Sequence, residues 1–202
     1  MTHKALSLIP KDEISRDFLI ARATAISRYA ILENSLASFF SSLMGTSEDI
    51  AGITFFRINN ARSRIAILER LLKKKYEDKF NSYWNSLAKH LRNLDGTRNN
   101  IVHWATETYI NTDLPTAQQV TSLKLIPPNF WDRTQNSPDI TLNELYDFIL
   151  KCDFFARLIN IFNWDVNGNP YAPQKHIPNS NDEMYSQPIS YPPPDDHPLL
   201  LK

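Results

Sequence analysis

A single cysteine, Cys152, rules out a disulfide framework and any cysteine-rich zinc site. Only four glycines occur, dispersed at Gly45, Gly52, Gly96 and Gly168, so the chain builds neither a phosphate-cradling loop nor a dinucleotide fingerprint. No apolar run reaches the ~18 residues of a membrane-spanning helix, and the first residues lack the continuous apolar core of a signal peptide. Net charge is missing as well. The 22 basic and 22 acidic residues cancel, which excludes both a polycation that holds nucleic acid by bulk charge and an acidic solvating tail. These absences place the chain in a soluble, reducing, cytoplasmic setting, away from membranes. At 202 residues it is long enough for one domain with a sizeable core and a tail.

What the chain does contain is helical periodicity. After an irregular lead-in over residues 1–12, a first helix is expected from about Ile14 to Met44. Its seam is Ile14, Phe18, Ala21, Ala25, Tyr29, Leu32, Leu36, Phe39 and Leu43, in steps of four or three. Gly45 is placed to stop it, and Ser47 with Glu48 and Asp49 to start the next by capping and dipole complementarity. That second helix is expected to run unbroken from about Ile50 to Tyr76, with Ile58, Ala61, Ile65, Leu68, Leu72 and Tyr76 as its seam. Arg57, Asn60 and Arg64 would then share its other face. It ends in Lys73-Lys74-Lys75, either a solvated helix end that suits the dipole or a phosphate-contacting patch. Glu33 sits beside the first seam, either as a solvated glutamate or as a carboxylate that orients a catalytic side chain.

The third helix, about Asp78 to Trp104, carries the informative exception. Its seam of Phe80, Trp84, Leu87, Leu91 and Leu94 continues to Arg98 and Ile101, so an arginine falls at a core position. Gly96 is the one residue there that could reset the register. Asn99 and His103 are four apart and share a face. Arg98 and His103 are five apart, about 140° around an ideal helix, and do not converge unaided. A long arginine side chain, a bend near Gly96 or a second copy across a two-fold axis would bring them together. The plain structural account makes Arg98 a hydrogen-bonded strut and His103 a cap on the helix C-terminus.

Between this helix and the last, Thr106–Ile110 and Val120–Ile126 are strand-like, so a small hairpin or packed flap is expected. The fourth helix starts at Thr141, which forms a capping box with Glu144, and continues through Leu145, Ile149, Cys152, Ala156, Ile159 and Phe162. Cys152 lies on that seam as a buried small hydrophobe rather than a nucleophile. Eight of the thirteen prolines then fall between Pro170 and Pro198. Residues 165–202 are therefore expected to form a proline-rich tail, disordered or laid on a surface, that contributes little to folding, with Tyr171, Tyr185 and Tyr191 as anchors if it does pack. Tyr191-Pro192-Pro193-Pro194 also offers a segment to a proline-recognising module. The fold class is all-α: an antiparallel four-helix bundle over residues 1–164 with a small β element between helices three and four.

The run Arg98-Asn99-Asn100-Ile101-Val102-His103 resembles the Arg-x4-6-His motif of the HEPN superfamily, with the favoured Asn directly after the Arg. The resemblance covers about residues 14–163, where helix order, the long third connection and Tyr29-x-x-Leu32-Glu33-x-x-Leu36 also suit the family. It departs at Ala105, where a subgroup of the family's toxins carries a tyrosine that a partner modifies. The resemblance implies a metal-independent endoribonuclease, of toxin or phage-defence type, working as a homodimer with a shared cleft and without a cofactor. In that reading His103 is the general acid or base, Arg98 grips the scissile phosphate, and Asn99 orients the histidine or the phosphate. Glu33, Arg57, Asn60 and Arg64 are weaker candidates for contacting RNA. An antitoxin or other regulatory partner is compatible with it. Two alternatives stand beside it: a non-catalytic HEPN-like module that binds nucleotide or RNA or only dimerises, and a helical adaptor recruited through its proline-rich tail.

Overall fold

The computed structural model describes residues 13–110, 121–128, 139–167 and 185–194. It is mostly helical, with α1 (Glu13–Met44), α2 (Glu48–Arg57), α3 (Ala61–Tyr76), α4 (Asn81–His103) and α5 (Leu142–Asn167). Strands β1 (Ala105–Ile110) and β2 (Thr121–Ile126) pair as an antiparallel hairpin between α4 and α5, in register Ala105↔Ile126 to Ile110↔Thr121. Two compact units divide the described residues. One gathers those up to Tyr29 and between Gly96 and Lys151, the other Ala30–Asp95 and the residues from Cys152 onward.

The first unit holds the motif. Its core comes from Phe18, Ala21, Ala25 and Tyr29 of α1, Ile101 of α4, Leu125 of β2, and Leu145 and Phe148 of α5. Apolar residues three and four apart form one stripe on a helix, which is why the α1 seam is buried from Phe18 to Tyr29, while Ile14 at its start is exposed. Beyond β2, Leu125 and Ile140 exchange backbone hydrogen bonds of 2.8 and 3.1 Å, tying the hairpin to the start of α5. At that start the Thr141 N–H donates to Glu144 Oε2 at 2.9 Å, the half of the expected capping box that reaches backward.

The second unit is organised around aromatic rings. Phe39, Phe80, Tyr83, Trp84 and Phe162 are buried, with Tyr83 and Phe162 centroids 4.8 Å apart and Phe39 and Phe162 5.4 Å apart. α1 ends as expected: Gly45 adopts φ +64°, and the Thr46 N–H reaches back to the Ser41 carbonyl at 3.2 Å. Ser47 stands at the N-cap of α2 but makes no side-chain cap, and Glu48 instead accepts a hydrogen bond from Ser38 Oγ at 2.9 Å. The expected second helix is two helices. Ile58 is extended (φ −75°, ψ 113°), and Asn60, also extended, caps α3 by accepting from the Ser63 N–H at 2.7 Å. A side chain that competes for backbone donors wins over the continuous seam.

The boundary of the tail shifts by a few residues. α5 runs past residue 164 to Asn167, and of the two forms expected for the tail residues 185–194 take the surface-laid one, against this unit, with Tyr185 and Tyr191 as anchors. Tyr185 is 3% exposed, packs on Phe80, Tyr83 and Phe162, and donates its hydroxyl to Asp165. Ser86 Oγ donates to the Ile189 carbonyl and accepts from its N–H, both at 3.0 Å. The Tyr191 ring sits 5.6 Å from that of Phe154, so the Tyr-Pro-Pro-Pro segment is engaged within the chain. Tyr171 and the lead-in over residues 1–12 lie outside the described residues.

Candidate functional site

The last two turns of α4 carry the motif, and α4 is continuous through Gly96. A β-carbon added at Gly96 would meet nothing within 4 Å, so no close approach requires glycine there. The register therefore holds and delivers Arg98 to the seam, with Ile101 fully buried one turn on. Arg98 resolves its misplaced charge locally. It is half-buried, its guanidinium carbon lies 5.3 Å from the centroid of the Tyr29 ring, and it donates to Asn99 Oδ1 at 2.9 Å. Tyr29 is itself buried and stacked on Phe148 with centroids 6.3 Å apart, so the platform beneath the arginine is rigid. Asn99 is thereby turned to Arg98.

His103 is the last residue of α4 and is exposed. Around it the helix end is held by a residue that sequence reasoning missed. Arg22 of α1 sends Nε to the Ile101 carbonyl (2.9 Å), one terminal nitrogen to the carbonyls of Val102 (3.1 Å) and Trp104 (3.0 Å), and the other to Thr106 Oγ1 (3.2 Å). Burial lowers the Arg22 pKa from its ordinary value, the cost of withdrawing a charge from water. The one signal in the sequence was its setting. Arg22 stands between the small seam residues Ala21 and Ala25, which leave room for a helix end to approach.

The chain matches no family model, no curated protein and no solved structure.

The remaining candidates belong to the second unit. Glu33 and Arg64 form an ion pair of 2.5 Å with side chains 17% and 15% exposed, so Glu33 is neither solvated nor aimed at the motif. Arg64 also donates through Nε to the Ile58 carbonyl at 3.0 Å and packs over the rings of Phe55 and Phe56. It thus fastens the α2–α3 junction. Because of that break, Arg57, Asn60 and Arg64 do not share one helix face. Arg57 is exposed at the end of α2, Asn60 is the α3 cap, and Arg64 is turned to Glu33. Lys73, Lys74 and Lys75 are exposed, with Lys73 paired to Asp78 at 3.1 Å and Lys75 donating to Asn167 at 2.7 Å.

Among the described residues no group of three His, Cys, Asp or Glu side chains gathers to hold a metal ion, and no helix is long and apolar enough to cross a membrane. Chemically the first unit offers an exposed imidazole on a fixed turn and an oriented guanidinium about 140° away around the same axis. The first can accept or donate a proton, and the second can bind a phosphate oxygen.

Proposed function

We propose that this chain is a HEPN-like endoribonuclease that cleaves RNA without a metal, at a composite site formed by two copies. α2 and α3 together serve as one broken arm of an antiparallel four-helix bundle. The observation that supports this most is the pairing of a seam arginine fixed on Tyr29 with an exposed histidine at the end of the same helix. His103 of one copy takes the proton from a ribose 2′-hydroxyl, whose oxygen attacks the adjacent phosphorus. The 5′-oxygen leaves with a proton from the equivalent histidine of the second copy. Arg98 stabilises the charge that grows on the non-bridging oxygens. The apolar side chain of Val102, next to His103 and 37% exposed, is surface that a second copy would cover.

Single-stranded RNA incubated with the protein and a chelator should yield 2′,3′-cyclic phosphate and 5′-hydroxyl ends. His103→Ala should cost on the order of 10²–10⁴ in rate while the protein stays folded. Cleavage that needs added magnesium, or a strict monomer at micromolar concentration by sedimentation, would count against the reading. A second reading is a non-catalytic RNA-binding module, favoured by the engagement of Arg98 with both Tyr29 and Asn99. It predicts RNA binding that Arg98→Ala abolishes and His103→Ala preserves, with no cleavage by the wild type. A toxin role would show as growth arrest on expression, relieved by His103→Ala or by a partner antitoxin.

A further inference from the structure

We infer that Arg22 is a positioning residue for His103, setting where the end of α4 presents its imidazole; this rests on the ribonuclease reading above. The last four carbonyls of an α-helix have no partner within it and need an outside donor. A helix commonly meets this need with a glycine or asparagine in the left-handed region just past its end. α4 does not: the residues after His103 are Trp104 and Ala105, and among the described non-glycine residues only Glu77 has positive φ. The closing backbone bond runs from the Trp104 N–H to the Asn100 carbonyl at 2.9 Å. The carbonyls of Ile101, Val102 and Trp104, on both sides of His103 in the chain, are left to Arg22.

One guanidinium therefore replaces a C-cap and also ties the helix end to β1 through Thr106 Oγ1. The geometry demands arginine. Four acceptors in three directions match the rigid five-donor fork, whereas a lysine ammonium is a point charge on a flexible stem. The imidazole projects from the very turn whose carbonyls this guanidinium holds. A reacting group misplaced by about 1 Å can lose on the order of 10² in rate.

The test is Arg22→Lys, which keeps the charge and most of the packing, compared with wild type on a single-stranded RNA oligonucleotide. Steady-state kcat and KM, a thermal melt and amide hydrogen exchange at Trp104 are measured together. The expected result is a fall in kcat of about 10- to 100-fold, with KM within about twofold, and faster exchange at Trp104 without general loss of protection. Unchanged kcat in an active wild type would overturn the role of Arg22 and leave the ribonuclease reading standing. A fall in kcat accompanied by loss of helix and of protection throughout would also overturn it, reducing Arg22 to a folding residue. An inactive wild type would overturn the ribonuclease reading, and the inference with it.

Discussion

A guanidinium laid on a buried phenol ring gives up part of its hydration and keeps its edge for an anion. Arg98 is in that state, and Arg98→Lys should separate charge from shape. A lysine preserves the positive charge but not the planar contact with Tyr29 or the directed bond to Asn99. On the proposed ribonuclease reading, cleavage should fall about 10²-fold with the melting temperature within a few degrees; an active lysine variant would show that charge alone suffices. Cys152 gives a second residue-scale expectation. Burial, with Asp153 nearby, pushes its thiol up to about 12. It should stay protonated and inert to thiol reagents at pH 8, reacting only as fast as the chain opens. The seam position of both residues was legible in the sequence because a helix repeats locally. The partners of Arg98 were not: Tyr29 lies on another helix, and no spacing rule connects them.

At the scale of elements, the α2–α3 junction shows where periodicity misleads. Ile58, Ala61 and Ile65 keep helical spacing straight across the break, so the pattern predicted one helix, while the Asn59-Asn60 pair carried the opposing signal. Asn60→Ala should cost about 1 kcal/mol in chemical denaturation through loss of the cap. Arg64→Ala leaves a largely buried Glu33 carboxylate unpaired and should cost about 2–3 kcal/mol. Neither should weaken RNA binding if these residues act only on the junction; a selective loss of RNA affinity with unchanged stability would return them to the substrate surface. The hairpin and the Thr141 start of α5 were readable because turn and capping chemistry is local. The Arg22 cap was not, since its acceptors lie 79 to 84 positions away.

For the whole molecule, the segment 185–194 and the high-pH limit of stability are linked. Tyr185 anchors without any apolar period, which is why the sequence pattern read as a tail. Tyr185→Ala should cost about 3 kcal/mol or more, and Tyr185→Phe about 1 kcal/mol through the lost bond to Asp165. Removing residues 168–202 should lower the melting temperature by at least as much as Tyr185→Ala. An unchanged melt would show that the segment adds nothing. Burial raises the hydroxyl pKa values of Tyr83 and Tyr185 well above the ordinary phenol range, and the Asp165 carboxylate adds to the effect. In the unfolded chain Cys152 and both tyrosines ionise at their ordinary values of about 8.5 and 10. The folded chain keeps these protons, so the unfolded state binds fewer as pH rises. Stability should be complete below about pH 8 and fall steadily above about pH 9. Phenolate absorbance should show two tyrosines that ionise only together with unfolding.

The bond from Arg22 to Ile101 also has a consequence in time. Closing a loop of 79 residues costs on the order of 4 kcal/mol in chain entropy before any contact repays it. Long-range closures of this kind come late in folding, after helices that form from neighbours. A refolding chain should recover its helical signal first and the proposed cleavage activity later, with the lag shortened by nothing that merely speeds helix formation. Stopped-flow dichroism run beside a fluorogenic RNA substrate would measure that lag, and simultaneous recovery would exclude it. If the proposed ribonuclease reading holds and the lag is present, an incompletely folded chain is catalytically silent, and its own folding would delay the release of that activity.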